Sequence, residues 1–195
     1  MVRVAVLADE ARLNLTTYSA PLNRAEEREF TPFTHELIGV AFTTIRGHFM
    51  TGTAVATKGD ASPVTVADRN AEEAMRRLIE RRYPRHAVMG EEHGNKPGER
   101  YRWVLDPIDG TRAFITNCFL FGTLIALERD DGAGFRPVLG VIGHPAAGVA
   151  LVGHRGGTTL YASDGSSRAS AISVPNRKQV VMNARVPSIG SSTQR

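Results

Sequence analysis

The sequence predicts an α+β fold in which layered helices cover a mostly antiparallel sheet. Two helical patterns come first and a run of strand-like segments follows, whereas a βαβ protein would alternate the two. The chain has 195 residues, of which 42% are hydrophobic and 23% are charged. These proportions are ordinary for a globular protein with a core, and the length allows one large domain or one domain and part of another.

Two amphipathic helices are predicted in the first half of the chain. In the first, an apolar residue recurs at every fourth position: Phe33, Leu37, Ala41, Ile45 and Phe49. The second covers residues 66–82, with apolar residues spaced as on one helical face, and Pro84 follows its end. Residues 57–63 between the helices are polar and contain Gly and Pro, which predicts a loop.

Five strand-like segments follow the second helix. They cover residues 87–89, 101–105, 121–127, 137–142 and 147–152. Residues 130–134, Asp-Asp-Gly-Ala-Gly, have the composition of a hairpin turn, so the third and fourth segments are expected to pair antiparallel. The domain boundaries predicted from these patterns are a poorly specified extension over 1–30, a folded domain over 31–152, and a polar, turn-rich, weakly structured region over 153–195.

Composition also limits which kinds of partner and which cellular compartment are expected for this protein. Cys118 is the single cysteine, which excludes an internal disulfide and favours a reducing, cytoplasmic location. No apolar run approaches the roughly 20 residues of a membrane-spanning helix, so no membrane partner is expected. The net charge is only +4, and the arginine cluster at 76–85 has Tyr83 as its one aromatic. We interpret that cluster as a solvated helix face and expect no nucleic-acid partner.

Residues 103–111, Trp-Val-Leu-Asp-Pro-Ile-Asp-Gly-Thr, are the most informative stretch. Asp106 is predicted to lie at the end of a buried strand. Asp109, three residues later, would place a second carboxylate at the same end. Gly110 and Thr111 then offer N–H groups and a hydroxyl. Carboxylates beside anion-binding donors are typical of a Mg²⁺-phosphate site. The alternative is a capped turn in which the acids only accept N–H groups.

Two further acids lie at predicted element ends. Asp68 comes three residues after Thr65, which is also the spacing of a capping box. Glu91 and Glu92 follow a predicted strand, where they also fit a solvated loop. The six histidines show no paired spacing such as His-Glu-x-x-His, so a zinc site is not expected.

Taken together, three segments carry a resemblance. Thr65-Val-Ala-Asp68, Gly90-Glu91-Glu92 and Asp106-Pro-Ile-Asp109-Gly-Thr111 resemble, in order and approximate spacing, the inositol monophosphatase family of Mg²⁺-dependent phosphatases. Residues 112–116, 121–127 and 137–142 look most like its histidinol-phosphate phosphatase branch. The resemblance covers roughly residues 33–151.

The resemblance implies a set of roles, with Mg²⁺ as the cofactor. Glu91 would bind the catalytic metal and Asp106 would bridge two metals. The main-chain carbonyl of Ile108 and the carboxylate of Asp109 would complete the ligands. Glu91 and Asp109 would thereby also contact the phosphate of a small phosphorylated substrate. Glu92 is expected to support the site or the structure instead of binding metal.

The remaining roles concern the nucleophile and the phosphate. Thr111, hydrogen-bonded to Asp68, would orient and deprotonate a metal-bound water, with no covalent phosphoenzyme. The N–H groups of Gly110 and Thr111, at the start of a following helix, would hold phosphate oxygens. Lys58 lies in the loop where the family often has a phosphate-side lysine; simple solvation is the alternative.

The resemblance also implies that a second α/β domain is largely missing. The family's second domain contains a Trp-Asp-x-Ala-Ala element, whereas Trp103 is the single tryptophan here and no Asp-x-Ala-Ala follows it. Residues 153–195 would then be a remnant of that domain. We expect histidinol-phosphate phosphatase activity that is low, partial or partner-dependent. The alternatives are hydrolysis of an inositol phosphate or other small phosphomonoester, and an inactive fragment with a non-enzymatic role. An exposed sheet edge would favour a homodimer or another form of self-association.

Overall fold

The computed structural model describes residues 21–52, 55–57, 63–154 and 157–163. It contains three α-helices in these ranges, α1 (Arg24–His48), α2 (Val66–Arg82) and α3 (Thr111–Ile115). The strands described there are β1 (Val55–Thr57), β2 (Pro63–Thr65), β3 (Ala87–Gly90), β4 (Asn95–Lys96), β5 (Tyr101–Asp109), β6 (Gly122–Asp130), β7 (Phe135–His144), β8 (Val149–His154) and β9 (Gly157–Ala162).

Seven of these strands form one sheet in the order β4-β3-β5-β6-β7-β8-β9. From β5 to β9 each strand pairs antiparallel with the next one along the chain, and β4 pairs antiparallel with β3. The pair β3 and β5 is parallel, because β4, which runs antiparallel to β3, and the loop after it return the chain to the end of the sheet at which β3 begins. The predicted α+β architecture with a mostly antiparallel sheet is therefore confirmed.

The first helix begins earlier than predicted. Asn23 caps α1 by accepting the N–H groups of Ala25 and Glu26, and the Glu26 carboxylate accepts the Asn23 N–H in return. The predicted boundary at residue 30 thus lies inside a helix. Pro32 removes one helical hydrogen bond, yet the helix continues through it, and Phe30 and Phe33 on either side are buried in the core.

The C-terminal end of the sheet also differs from the prediction. The expected boundary at residue 152 lies inside β8, and β9 pairs along its whole length with β8, with Leu151 opposite Leu160. The Thr-Thr-Leu-Tyr segment of β9 has strand propensity that its glycine neighbours obscured. The predicted loop over 57–63 begins and ends in the short strands β1 and β2, which pair with each other. Residues 164–195 lie outside the described part of the chain.

Helices α1 and α2 pack together on one face of the sheet. Alternate residues of the central strands point toward them, so Trp103 and Leu105 of β5 and Leu127 of β6 are fully buried. The opposite face carries a row of residues aligned across five strands: Asp106, Leu124, Ile142, Leu151 and Leu160. In the described ranges, no helix combines the length and the apolar content that crossing a membrane requires.

Candidate active site

Two of the predicted metal ligands follow adjacent positions of two parallel strands. Strands β3 and β5 are parallel, and their last registered pair is Gly90 with Leu105. The next residue along each chain is Glu91, directly after β3, and Asp106, three residues before the end of β5. Neighbouring strands in a sheet are about 4.8 Å apart, so the two acids follow adjacent positions of the sheet. Asp106 is largely buried at 8% exposure, whereas Glu91 is exposed.

A bulge in β5 brings the second aspartate to the same place. Asp106 pairs with Leu124 and Asp109 with Gly122, so three residue steps on β5 match two on β6. In a regular strand, residues 106 and 109 would point to opposite faces; the extra residue redirects Asp109. The buried Thr123 hydroxyl donates to the Pro107 carbonyl oxygen at 2.8 Å and holds the bulge from the neighbouring strand.

The chain then turns sharply at Gly110. Its φ of 93° lies in the left-handed region, and a Cβ there would come within 3.1 Å of the Leu120 carbonyl oxygen. The Gly110 carbonyl accepts the N–H groups of Ala113 and Phe114 and so starts α3. Since α3 has only five residues, anion binding at this turn would depend on the N–H groups themselves and not on a helix dipole.

Asp68 sits at the start of α2, and its described hydrogen bonds are those of a cap. Its Oδ2 accepts the Thr65 N–H at 2.8 Å and the Thr65 hydroxyl at 2.6 Å, and the Asp68 N–H donates back to that hydroxyl. The hydroxyl of Thr111 donates to the Ile108 carbonyl at 3.2 Å instead of to Asp68 as expected.

The structure still brings α2 and α3 to one locality, because β2, which leads directly into α2, contacts α3. Asp106, Ile108 and Asp109 lie in the last part of β5, and Gly110 and Thr111 connect it to α3. Glu91 directly follows the adjacent strand β3. Lys58 lies outside the described residues. Within the described ranges, no three His, Cys, Asp or Glu side chains are already grouped closely enough to hold a metal ion. The donors at this edge are carboxylate and carbonyl oxygens, which is the chemistry that Mg²⁺ requires.

A shallow groove of about 470 Å³ adjoins this turn. Asp109 and Gly110 form its polar end, and its apolar wall includes Leu120, Ile142 and Leu160. It lies on the sheet face away from α1 and α2. A small phosphorylated molecule with its phosphate at Asp109 and Gly110 would therefore extend along apolar side chains.

Two residues beside the site were not predicted. Glu72 of α2 is fully buried and accepts N–H groups of the loop that follows β3. Arg76, which was interpreted as part of a solvated arginine face, is 9% exposed and pairs with Glu72. Their positions in the helix could have indicated this burial. Both residues lie on the helix face of Ala71 and Met75, where a buried polar residue needs a partner.

Comparison with known proteins matches most of the chain to one protein family. The model of the inositol monophosphatase family matches residues 26–193. The chloroplastic bifunctional phosphatase IMPL2 of Arabidopsis thaliana is 37% identical over 171 residues, which are 85% of this chain and 48% of that protein. A histidinol-phosphatase of Chlorobaculum parvum is 39% identical over 132 residues, covering 67% of this chain and 49% of that protein.

Among solved structures, an inositol monophosphatase from Zymomonas mobilis is 42% identical with a TM-score of 0.57. That match covers 71% of this chain and 53% of the other. The chain thus spans about half the length of the curated relatives it matches.

Proposed function

Because the chain belongs to the inositol monophosphatase family, we propose that it contributes to Mg²⁺-dependent hydrolysis of a small phosphomonoester, with histidinol phosphate as the first candidate. The histidinol-phosphatase of Chlorobaculum parvum supports that choice. The inositol monophosphatase of Zymomonas mobilis supports an inositol phosphate as the alternative. Cytoplasmic location is part of the proposal and rests on the single cysteine, which is free.

The observation that carries the proposal is the bulge in β5, which puts Asp106 and Asp109 on one face of the sheet beside the parallel strand that leads into Glu91. Glu91 and Asp106 are the residues that follow the last registered pair of the parallel strands, and the β5 bulge gives Asp109 the same face as Asp106. A bulge is retained beside functional sites because it re-aims a side chain that regular pairing would bury or expose. A capped turn would need neither the second strand nor the bulge.

Glu91, Asp106, Asp109 and the Ile108 carbonyl would hold the metal. When bound, Mg²⁺ would acidify a water molecule and neutralise the charge of the phosphate. Asp106 is shielded from solvent, so its attraction for a cation is screened less than that of an exposed acid. The Thr111 hydroxyl donates to the Ile108 carbonyl oxygen in this structure. It would have to turn away from that oxygen to contact the attacking water.

The test is phosphate release by the purified full chain. Histidinol phosphate and inositol 1-phosphate are assayed separately across a Mg²⁺ titration, with the Asp109→Asn variant beside the wild type. Asparagine keeps the shape of the side chain and removes its charge. Asp130→Asn is the matched control, since Asp130 lies at the other end of β6, about 26 Å along the strand.

We expect Mg²⁺-dependent release that is lost in Asp109→Asn and retained in Asp130→Asn. The preferred ester identifies the substrate class. No release from either ester at any Mg²⁺ concentration would overturn the enzymatic proposal and favour the non-enzymatic alternative. Release that is equal in both variants would remove Asp109 from the site.

A further inference from the structure

The loop that carries Glu91 is anchored to α2 by a buried carboxylate. Glu72 is fully buried, and its Oε2 accepts the Glu92 N–H at 2.7 Å while its Oε1 accepts the His93 N–H at 3.1 Å. The two N–H groups belong to the residues immediately after Glu91. Glu72 therefore fixes the main chain on the carboxyl side of the proposed ligand.

Arg76 completes this anchor. Its Nε donates to Glu72 Oε1 at 2.7 Å, and its guanidinium also donates to the carbonyl oxygen of Gly94. The loop is thereby held at both ends, near Glu92 by the acid and at Gly94 by the base. Because the pair is neutral overall, it adds no net charge beside Glu91.

Gly90 shows how closely the anchor approaches the loop. A Cβ at this position would lie 2.0 Å from Glu72 Oε1, although the φ of Gly90 is not in the left-handed region. A side chain at this position would displace the Glu72 carboxylate. The last residue of β3 thus lies directly against the buried carboxylate, and Glu91 follows it.

A buried ion pair of this kind is a poor source of stability. Taking both charges out of water costs several kcal/mol per ion, and apolar replacements of similar volume are often neutral or stabilising. The pair nevertheless satisfies two loop N–H groups and one loop carbonyl next to a candidate metal ligand. These contacts are best explained by the orientation that they impose on the loop.

We propose that Glu72, supported by Arg76, is a positioning residue that sets the direction of Glu91 for metal binding; this inference rests on the proposed function. Residues that orient metal ligands typically change metal affinity about 10–100-fold when they are removed. Neither side chain would contact the metal or the substrate. Their effect would pass through the main chain of residues 91–94.

The test compares three variants of the full chain with the wild type, and a fourth, Glu91→Gln, separates this inference from the proposed function. Glu72→Gln removes the charge and part of the acceptor capacity. The double variant Glu72→Met with Arg76→Leu removes the whole ion pair but fills its volume with apolar groups, so that folding is preserved. Glu73→Gln is the matched control, because Glu73 pairs with Arg77 at the same helical spacing on the exposed side of α2.

Two measurements are made on each variant, Mg²⁺ and Mn²⁺ affinity by titration calorimetry and amide hydrogen exchange of residues 91–94. We expect both test variants to bind metal about 10–100-fold more weakly and to exchange the Glu92 and His93 amides faster. Peptides from β5 and α1 should keep their protection. Glu73→Gln should match the wild type in both measurements.

A Glu91→Gln variant separates the inference from the proposed function. If Glu91→Gln weakens metal binding while the Glu72 variants bind normally, positioning is overturned and the metal site stands. If the wild type binds neither ion, or Glu91→Gln binds as the wild type does, the proposed site fails and the positioning role fails with it. Unchanged exchange at Glu92 and His93 in the Glu72 variants would overturn the anchor itself.

Discussion

The indole Nε1 of Trp103 donates a hydrogen bond to Nδ1 of His86 across 3.3 Å. Accepting this bond requires that Nδ1 carry no proton. His86 also stacks on Tyr83, with ring centroids 4.5 Å apart. Burial, followed by the positive charges of Lys96, Arg100 and Arg85, lowers the pKa of His86 to about 4. The core beside α1 is therefore built around a neutral histidine.

Acid is expected to destabilise the fold through His86. The ordinary pKa of 6.5 applies in the unfolded chain, so between pH 6.5 and about 4 the unfolded state binds a proton that the folded state does not. The free energy of unfolding should fall as pH falls across this window. The slope is at most about 1.4 kcal/mol per pH unit for one proton, and solvent screening of the partly buried ring makes the slope smaller. The contribution is complete above pH 6.5. Urea denaturation at a series of pH values measures it.

The comparison for this prediction is His86→Asn, whose side-chain oxygen can still accept the Trp103 N–H. Carboxylates that titrate at lower pH remain in both proteins, so the difference between the two curves isolates His86. The variant should show a flatter dependence between pH 4 and 6.5. Parallel curves would contradict the assignment.

Thr123→Val should destabilise the protein and loosen the β5 bulge. Valine has nearly the same shape but leaves the Pro107 carbonyl oxygen without its buried donor. An unsatisfied buried acceptor costs about 1–3 kcal/mol. Urea denaturation measures the loss. Thr116→Val is the control, because the Thr116 hydroxyl is exposed; equal stabilities of the two variants would show that the buried bond contributes nothing.

The two possible roles of Asp68 can be separated by comparing it with its capping partner. Thr65→Ala and Asp68→Ala each break the capping box, and each should lower stability by about 0.5–2 kcal/mol. If Asp68 also assists proton removal from water, only Asp68→Ala should lose about 10²–10⁴-fold in turnover. Thermal unfolding and phosphate release are measured on both. Equal losses of turnover would leave Asp68 with a capping role alone.

Much of the fold was readable from local patterns because the relevant signals are short-range. Apolar residues at helical spacing predicted the cores of α1 and α2, and the turn at 130–134 predicted the β6–β7 hairpin. The segment from Asp106 to Thr111 predicted a metal and phosphate site from neighbouring residues in the same way, and that site stays a prediction. In each case the residues that carry the signal are close in the sequence.

The remainder depended on partners that lie far apart in the sequence. The residues around Leu160 do not indicate that β9 pairs with β8. A local pattern also does not show that α1 continues through Pro32, beside the buried Phe30. Arg76 was predicted to be solvated because four nearby arginines looked alike. Its burial follows from the loop carbonyl of Gly94, eighteen residues away, which the helix pattern could not reveal.

Self-association is expected through the sheet face opposite α1 and α2. Ile142 is 44% exposed and Leu160 is 38% exposed, in one row across β7, β8 and β9. A contiguous apolar surface of this kind favours association in water. We expect size-exclusion chromatography with light scattering to show a dimer or larger species that dissociates on dilution. Ile142→Thr should shift the equilibrium toward monomer, since it keeps the branched shape and adds a hydroxyl.

Val66→Thr is the matched control for this prediction, because Val66 is 43% exposed but lies on the first turn of α2. It should associate as the wild type does, because its side chain is not part of the apolar row. A wild-type chain that elutes as a monomer at every concentration would overturn the prediction. An equal shift in both variants would locate the contact elsewhere than on this face, since only Ile142 belongs to the row.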